Sequence, residues 1–450
     1  MDSSCKTTLG LIATLTLLAG CSSSDDDSAT PPAQVGVRFM HASPDAPNVN
    51  VEGQLSTFVT DLAYKSASEF LSVGVGNLNV RVDGIVPGGT ATVLGPVDLT
   101  LAADTSYTVI ALGEVAVIDA LVIAEPATPV AAGEVRAQVV HAAPNAPAVD
   151  VYVTAPGADL AQSVPLGSFA FGEDLGPVNV ASGDYQVRVT LPGNPGAVVF
   201  DSGTVALPAG ADLLIAAVEN TGLGTSPISL VAADGLGSFE ILDVNTPAAL
   251  RVIHASPDAP AVDVVVNDDF MNPVLSGVAF PEFSGYLEVP AGAYNAKVTP
   301  EGNPGVIVID ADLDLDAGEV YSVYASGLLA SIAPHVLVDD NRSIATEAKV
   351  RLVHMAPSAG LVDIYVTPPG ADIATLSPTF AGVDFKDETG YVGLAGGSYD
   401  VTVTVAGTKS AAIGPATIML SDGGVYTAAA RDATGGGAPF GLILLDDFNP

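Results

Sequence analysis

LRVIHASPDAPAVDV, residues 250–264, decides the fold. An apolar segment of β type runs to His254, two small residues and a proline-containing turn follow, and Val262-Asp263-Val264 leads into the next strand. Proline brings no N–H to a ladder, so the turn separates two strands. The pattern returns as VRFMHASPDAPNVNV at 37–51, AQVVHAAPNAPAVDV at 137–151 and VRLVHMAPSAGLVDI at 350–364. Its histidines, His41, His141, His254 and His354, are four of only five in the chain, spaced by 100, 113 and 100 residues. Chance does not place them so; the chain repeats one module.

Later segments repeat in the same order. GDYQVRVTLPGNPGAVVFD at 183–201 matches GAYNAKVTPEGNPGVIVID at 292–310, and GSYDVTVTVAG begins at Gly397. The apolar pattern lapses near 126–133, 244–249 and 341–348, which gives modules at 35–128, 132–246, 248–345 and 348–450. Within each, strand-like runs are broken by Gly, Pro, Asn and Asp roughly every 8 to 12 residues, as in a sandwich. Val262, Val264 and Val266 alternate with Asp263 and Asn267, as in a strand with one face in a core. Gly-x-Tyr at Tyr185, Tyr294 and Tyr399 is similar to the tyrosine corner of Greek-key sandwiches, whose phenol bonds backbone. The expected fold class is all-β: four tandem antiparallel β-sandwich modules, Ig-like and Greek-key, after a signal peptide and a flexible tether. A module of this size is expected to bury its own core.

Composition agrees. Hydrophobic residues make up 48% and charged residues 14%, with 47 Gly, 33 Pro and no Trp, a mix for short strands and tight turns rather than helices. A formal net charge of -37 repels phosphate backbones, so no nucleic acid is expected as a partner.

The N-terminus carries Lys6, an apolar run from Leu9 to Leu18 and then small residues, the three-part shape of a secretory signal. The run is too short for a permanent membrane helix. Leu18-Ala19-Gly20-Cys21 resembles the bacterial lipobox, and the resemblance implies a signal peptide at 1–20, cleavage before Cys21 and its acylation. Cys5 would leave with the signal, which excludes a thiol catalyst or a disulfide in the mature chain. Residues 21–34 read as an acidic tether. Ser22 after the acylated Cys21 implies export to the outer membrane, with the lipid at Cys21 as the membrane partner.

The HASPDAP-x-VDV signature, repeated in a Gly- and Pro-rich secreted chain, resembles the bacterial domain-of-unknown-function family 4397. Residues 250–264 carry the likeness best. The fourth copy departs at Met355, Ser358 and Gly360, the second at Ala143 and Asn145. The family implies a fold and a secreted setting, and no mechanism.

Within the signature, His41, His141, His254 and His354 with Asp45, Asp258, Asp150, Asp263 and Asp363 are the candidate site residues. Imidazole and carboxylate are ordinary cation ligands. The acidic positions become Asn145 and Ser358 in two copies, however, which favours a structural role in which each imidazole braces its turn. A Ser256-His254-Asp263 arrangement loses its nucleophile at Ala143 and Ala356, so no catalytic residue is assigned. Asp312, Asp314 and Asp316 start like a calcium loop, but Leu313 and Leu315 make the run a plain alternating strand and no metal site is expected. Arg38, Arg251 and Arg351, each three before its His, read as cross-strand partners of carboxylates, worth about 0 to 1 kcal/mol each if exposed, with an anionic-glycan groove as the sharper alternative. Phosphate-cradling loops and zinc spacings are missing, so no cofactor is expected. These readings point to a non-enzymatic surface array for adhesion, spacing or binding, facing an extracellular protein or glycan. The alternative is a carbohydrate- or cation-binding lipoprotein with its site at the His turn.

Overall fold

The computed structural model describes residues 33–445 and 447; the expected signal peptide, Cys21 and the tether up to residue 32 lie outside the described residues. Regular structure is almost all β, and the remaining elements are single 3-10 turns. In the first module the strands are β1 (Gln34–Ala42), β2 (Val49–Gly53), β3 (Thr57–Leu62), β4 (Leu71–Gly74), β5 (Gly76–Val86), β6 (Gly89–Leu101), β7 (Thr105–Leu112) and β8 (Asp119–Pro126). They form two four-stranded sheets, ordered β4-β1-β7-β8 and β3-β2-β5-β6. The segments 134–241, 248–339 and 348–445 repeat this plan, and the second adds an edge strand at Ser238–Ile241.

The sandwich class holds, with one correction: the sheets are not wholly antiparallel. β1 and β7 run parallel, from Val37 opposite Tyr107 to Ala42 opposite Leu112, and the other three modules repeat that pair. Turns reverse the chain at every strand, so two odd-numbered strands brought side by side by crossovers must point the same way. The first strand also pairs with the seventh rather than the second, because the Pro44–Pro47 turn carries the chain into the opposite sheet. The tyrosines act as corners: Tyr185, Tyr294 and Tyr399 donate their hydroxyls to the carbonyls of Ala181, Pro290 and Ala395 at 2.9, 2.7 and 2.9 Å.

β1 is buried on both faces, which the alternation argument did not foresee. Val35, Val37 and Phe39 point into the sandwich with Val49, Val51 and Val109. Met40 and Ala42 point the other way, into a second core that joins Ile110, Leu112 and Ile123 to Val140, Leu214, Val218 and Val231 of the second module. The third and fourth modules share an equivalent core of Ile253, Ala255, Tyr324 and Leu337 with Val353, Met355, Ala429 and Ile443. The modules are therefore two face-to-face pairs and not four separate beads. Buried apolar area at such a junction stabilises by about 25 cal/mol per Å² removed from water.

The pairs also touch each other. Arg342, between the third and fourth modules, donates to the carbonyls of Pro44 and Ala46 at 3.2 and 2.8 Å, and Ala345 N–H donates to the Asp45 carbonyl at 2.8 Å. Among the described residues, no helix is long and apolar enough to cross a membrane.

Candidate functional site

The four histidines end their first strands and are buried. In every copy Nε2 meets the carbonyl six residues on: His41 to Pro47 at 3.0 Å, His141 to Pro147 at 3.0 Å, His254 to Pro260 at 2.9 Å and His354 to Gly360 at 2.9 Å. A carbonyl only accepts, so Nε2 carries the proton. Nδ1 then accepts from the N–H of Ser43, Ser256 and Ala356 at 3.3, 3.3 and 3.2 Å. In these three copies both ring nitrogens are spent on the turn, and a cation would have to break one of the bonds. Burial pushes His41 down to about 4, against the raising effect of its bond to Pro47, and burial also lowers His254.

Each imidazole further meets an aromatic ring nearly edge-on, at centroid distances of 5.9 to 6.5 Å: Tyr64, Phe171, Phe280 and Phe385. These rings lie on the connection between the third and fourth strands, which also bonds the histidine backbone, as in His41 N–H to Ser66 O at 3.0 Å and His354 N–H to Asp387 O at 2.9 Å. Sequence reasoning missed them, although an aromatic recurs 23 to 31 residues after each His.

The carboxylates of the signature go elsewhere. Asp45 and Asp258 each accept a backbone N–H, from Val115 and Leu329 at 2.7 Å, and so fasten the 3-10 turns Val115–Val117 and Leu329–Ser331. At the matching place Asn145 donates to Glu114 and Glu219, and Ser358 N–H donates to Asp432. Asp263 takes Gly277 N–H and Gly302 N–H, both at 2.9 Å, and Asp363 takes Gly382 N–H and Gly407 N–H, both at 2.8 Å. Asp150 likewise joins Ser168 to Gly193. One carboxylate thus staples two hairpin ends.

His254, Asp258 and Asp263 do not converge. Ser256 meets the ring of His254 through its N–H, while its buried hydroxyl has no hydrogen-bond partner. No group of three metal-ligating side chains gathers among the described residues. Asp312 and Asp314 lie on the strand Ile309–Leu315 with outward side chains, and Asn295 bridges Asp310 and Asp312 at 2.9 Å each.

The arginines three before the His are the largest departure from expectation. Arg38, Arg251 and Arg351 are 1%, 0% and 0% exposed, because they occupy the outward face of the first strand that the neighbouring module covers. Each lies over a ring, Phe70, Tyr286 or Tyr391, at 4.6 to 4.7 Å. Arg38 bonds Glu125 and Thr108 at 3.0 and 2.7 Å and reaches across to the carbonyl of Ala233 at 3.1 Å. Phe70 approaches Gly235 so closely that a Cβ there would stand 3.1 Å from the ring.

In the other pair Asp339 binds Arg351 across the junction and accepts from Ser322 and Tyr286, both at 2.6 Å, while Arg251 reaches Asp447. Burial works to lower Arg251 and Arg351, yet Asp447 and Asp339 hold them above the ordinary guanidinium range. In the first pair burial prevails, lowering Arg38 and raising Glu125. The second module has Gln138 here, bonded to Asp174.

The fold and the signature residues that brace its turns and junctions define a protein of repeated, paired β-sandwich modules. Residues 35–152 and 248–365, more than half of the chain, match the family described as domain of unknown function (DUF4397), and the chain belongs to that family. Each match begins one pair and runs into the second strand of its second module. No sequence among the curated proteins matches. Among solved structures, the Bacillus anthracis TIE protein is similar over 89% of this chain and 67% of its own, at 12% identity and a TM-score of 0.17. The pneumococcal glycogen-degrading virulence factor SpuA aligns over 61% of this chain and 38% of its own, at 10% identity and a TM-score of 0.16. A Bacteroides fragilis NCTC 9343 chain described as a cell adhesion protein aligns over 44% of this chain and 97% of its own, at 11% identity and a TM-score of 0.12. Likenesses this remote leave function to be argued from the chain's own residues.

Proposed function

We propose that this chain is a lipid-anchored protein of the bacterial cell envelope or surface, held in the outer membrane through Cys21, whose paired modules form a non-enzymatic binding scaffold. The observation that carries the reading is the use made of the signature. In each copy its histidine, and in most its carboxylate, is tied to backbone of its own module, so repetition multiplies a framework rather than a reaction centre. Repeated frameworks suit avidity for an extracellular protein or glycan. The lipobox-like Leu18-Ala19-Gly20-Cys21 after the apolar run supports the anchor.

The test has two arms. Cys21→Ala should abolish acyl labelling and release the protein from the membrane fraction; equal labelling and retention in the variant would refute the anchor. A glycan array and a screen of extracellular proteins with the four-module chain should give binding without turnover. Hydrolysis of any bound glycan or peptide would overturn the non-enzymatic reading.

A further inference from the structure

We infer that the third module carries an internal site for an uncharged apolar small molecule, between its two sheets. A cavity of about 390 Å³ lies there, walled by Val252, Val264, Leu275, Val298, Ala311 and their aliphatic neighbours. Protein interiors are ordinarily packed as densely as organic crystals, so a space of this size needs a cause.

The cause is legible by comparison among the modules. The first fills the middle of its sandwich with Phe39 stacked on Phe58 at 5.9 Å, the second with Phe169 and Phe200, and the fourth with Phe380. The third has no aromatic residue in its central cluster. Leu275 stands opposite Val264 where Phe380 stands opposite Ile364. The third core consists of one cluster around Val264 and another around Tyr321, and the cavity takes its walls from both. The second module also has a cleft, of about 430 Å³, but its walls include the Pro208–Asp212 turn and Asp234.

The walls specify the ligand. Apolar cavities stay dry and take up apolar guests, and one of roughly 150 Å³ accepts benzene, so this one has room for two or three fused rings or a medium alkyl chain. The hydroxyl of Tyr294 is already spent on Pro290 O at 2.7 Å and offers the guest nothing. Exposed Glu288 in the lining and a net charge of -37 oppose an anion at the mouth. Val274, 51% exposed, marks a way in. The inference is independent of the lipid anchor.

The neutral fluorophore 1-aminoanthracene, titrated into residues 22–450 prepared without acylation, should show one saturable site with enhanced emission. Leu275→Phe, which places there the ring that the fourth module carries as Phe380, should weaken binding at least tenfold. The anionic dye 1-anilinonaphthalene-8-sulfonate should bind at least tenfold more weakly than the neutral one. Should the variant fold poorly, intermolecular nuclear Overhauser effects in the wild-type chain decide: ring protons of the probe should contact the methyls of Val264 and Val298. Absence of saturable binding, equal affinity in folded Leu275→Phe, or contacts elsewhere would overturn the site. Equal binding of the anion would overturn its uncharged character.

Discussion

At the scale of the residue, His254 holds two backbone groups of its turn at once, and His254→Ala leaves both under-satisfied in a buried place. The variant should lose about 1–3 kcal/mol of stability in urea unfolding, and added zinc or calcium should change neither protein. His41 supplies a pH signature. Its folded-state value lies near 4 and its unfolded value at 6.5, so the unfolded chain takes up the proton first as pH falls. Stability is therefore full above about 6.5 and declines between 6.5 and 4, by roughly 3 kcal/mol in total. His41→Gln should remove that part of the pH dependence, measured by thermal melts of both proteins across the window. Sequence reasoning takes these histidines as structural because the acidic positions beside them become Asn145 and Ser358 in two copies. The rings of Tyr64 and Phe280 beside them lie beyond it, since nothing local in the sequence ties an aromatic to a histidine more than twenty residues away.

At the scale of the element, the first strand was legible as a strand and illegible as a junction. Its inward residues alternate as expected, but Arg38, Arg251 and Arg351 on the other face have the composition of a solvated edge, where arginine is usually found. A neighbouring sheet buries them, and only the three-residue offset from the His, repeated in three copies, hinted at a shared task. Removing one member of a buried ion pair strands the other without water. Asp339→Ala should accordingly cost about 3–5 kcal/mol, more than the loss of a pair with an exposed cation such as Arg81 with Asp83. Replacing Arg351 by Met together with Asp339→Ala should cost less than the sum of the two single changes. A double-mutant cycle with additive losses would contradict the direct coupling. The parallel pairing of β1 with β7 was equally hidden, because direction follows from crossovers between sheets and not from the alternation within a strand.

At the scale of the whole molecule, the tandem repetition of a β module followed from periodicity, while the arrangement of the modules did not. Linkers such as 126–133 read as breaks between independent beads, yet Arg136 donates to the carbonyls of Pro126 and Thr128, both at 2.9 Å, and the apolar faces on either side meet. Contact between the pairs includes Arg342 and Ala345 against the first His turn. Arg342→Ala should speed hydrogen exchange at the Ala345 amide without lowering the melting temperature of either pair measured as a separate fragment. Unchanged exchange would mean that the contact does not couple the halves.

The central claim is that the repeated arginine and the apolar face beside it make two modules one folding unit. Calorimetry of residues 248–450 beside residues 248–345 tests it most directly. A shared core of Ile253, Tyr324, Val353 and Ile443, with Arg351 bound to Asp339 across it, predicts one cooperative transition for 248–450 at a higher temperature than that of 248–345 alone. Two separate transitions, one coinciding with that of the isolated third module, would contradict the account.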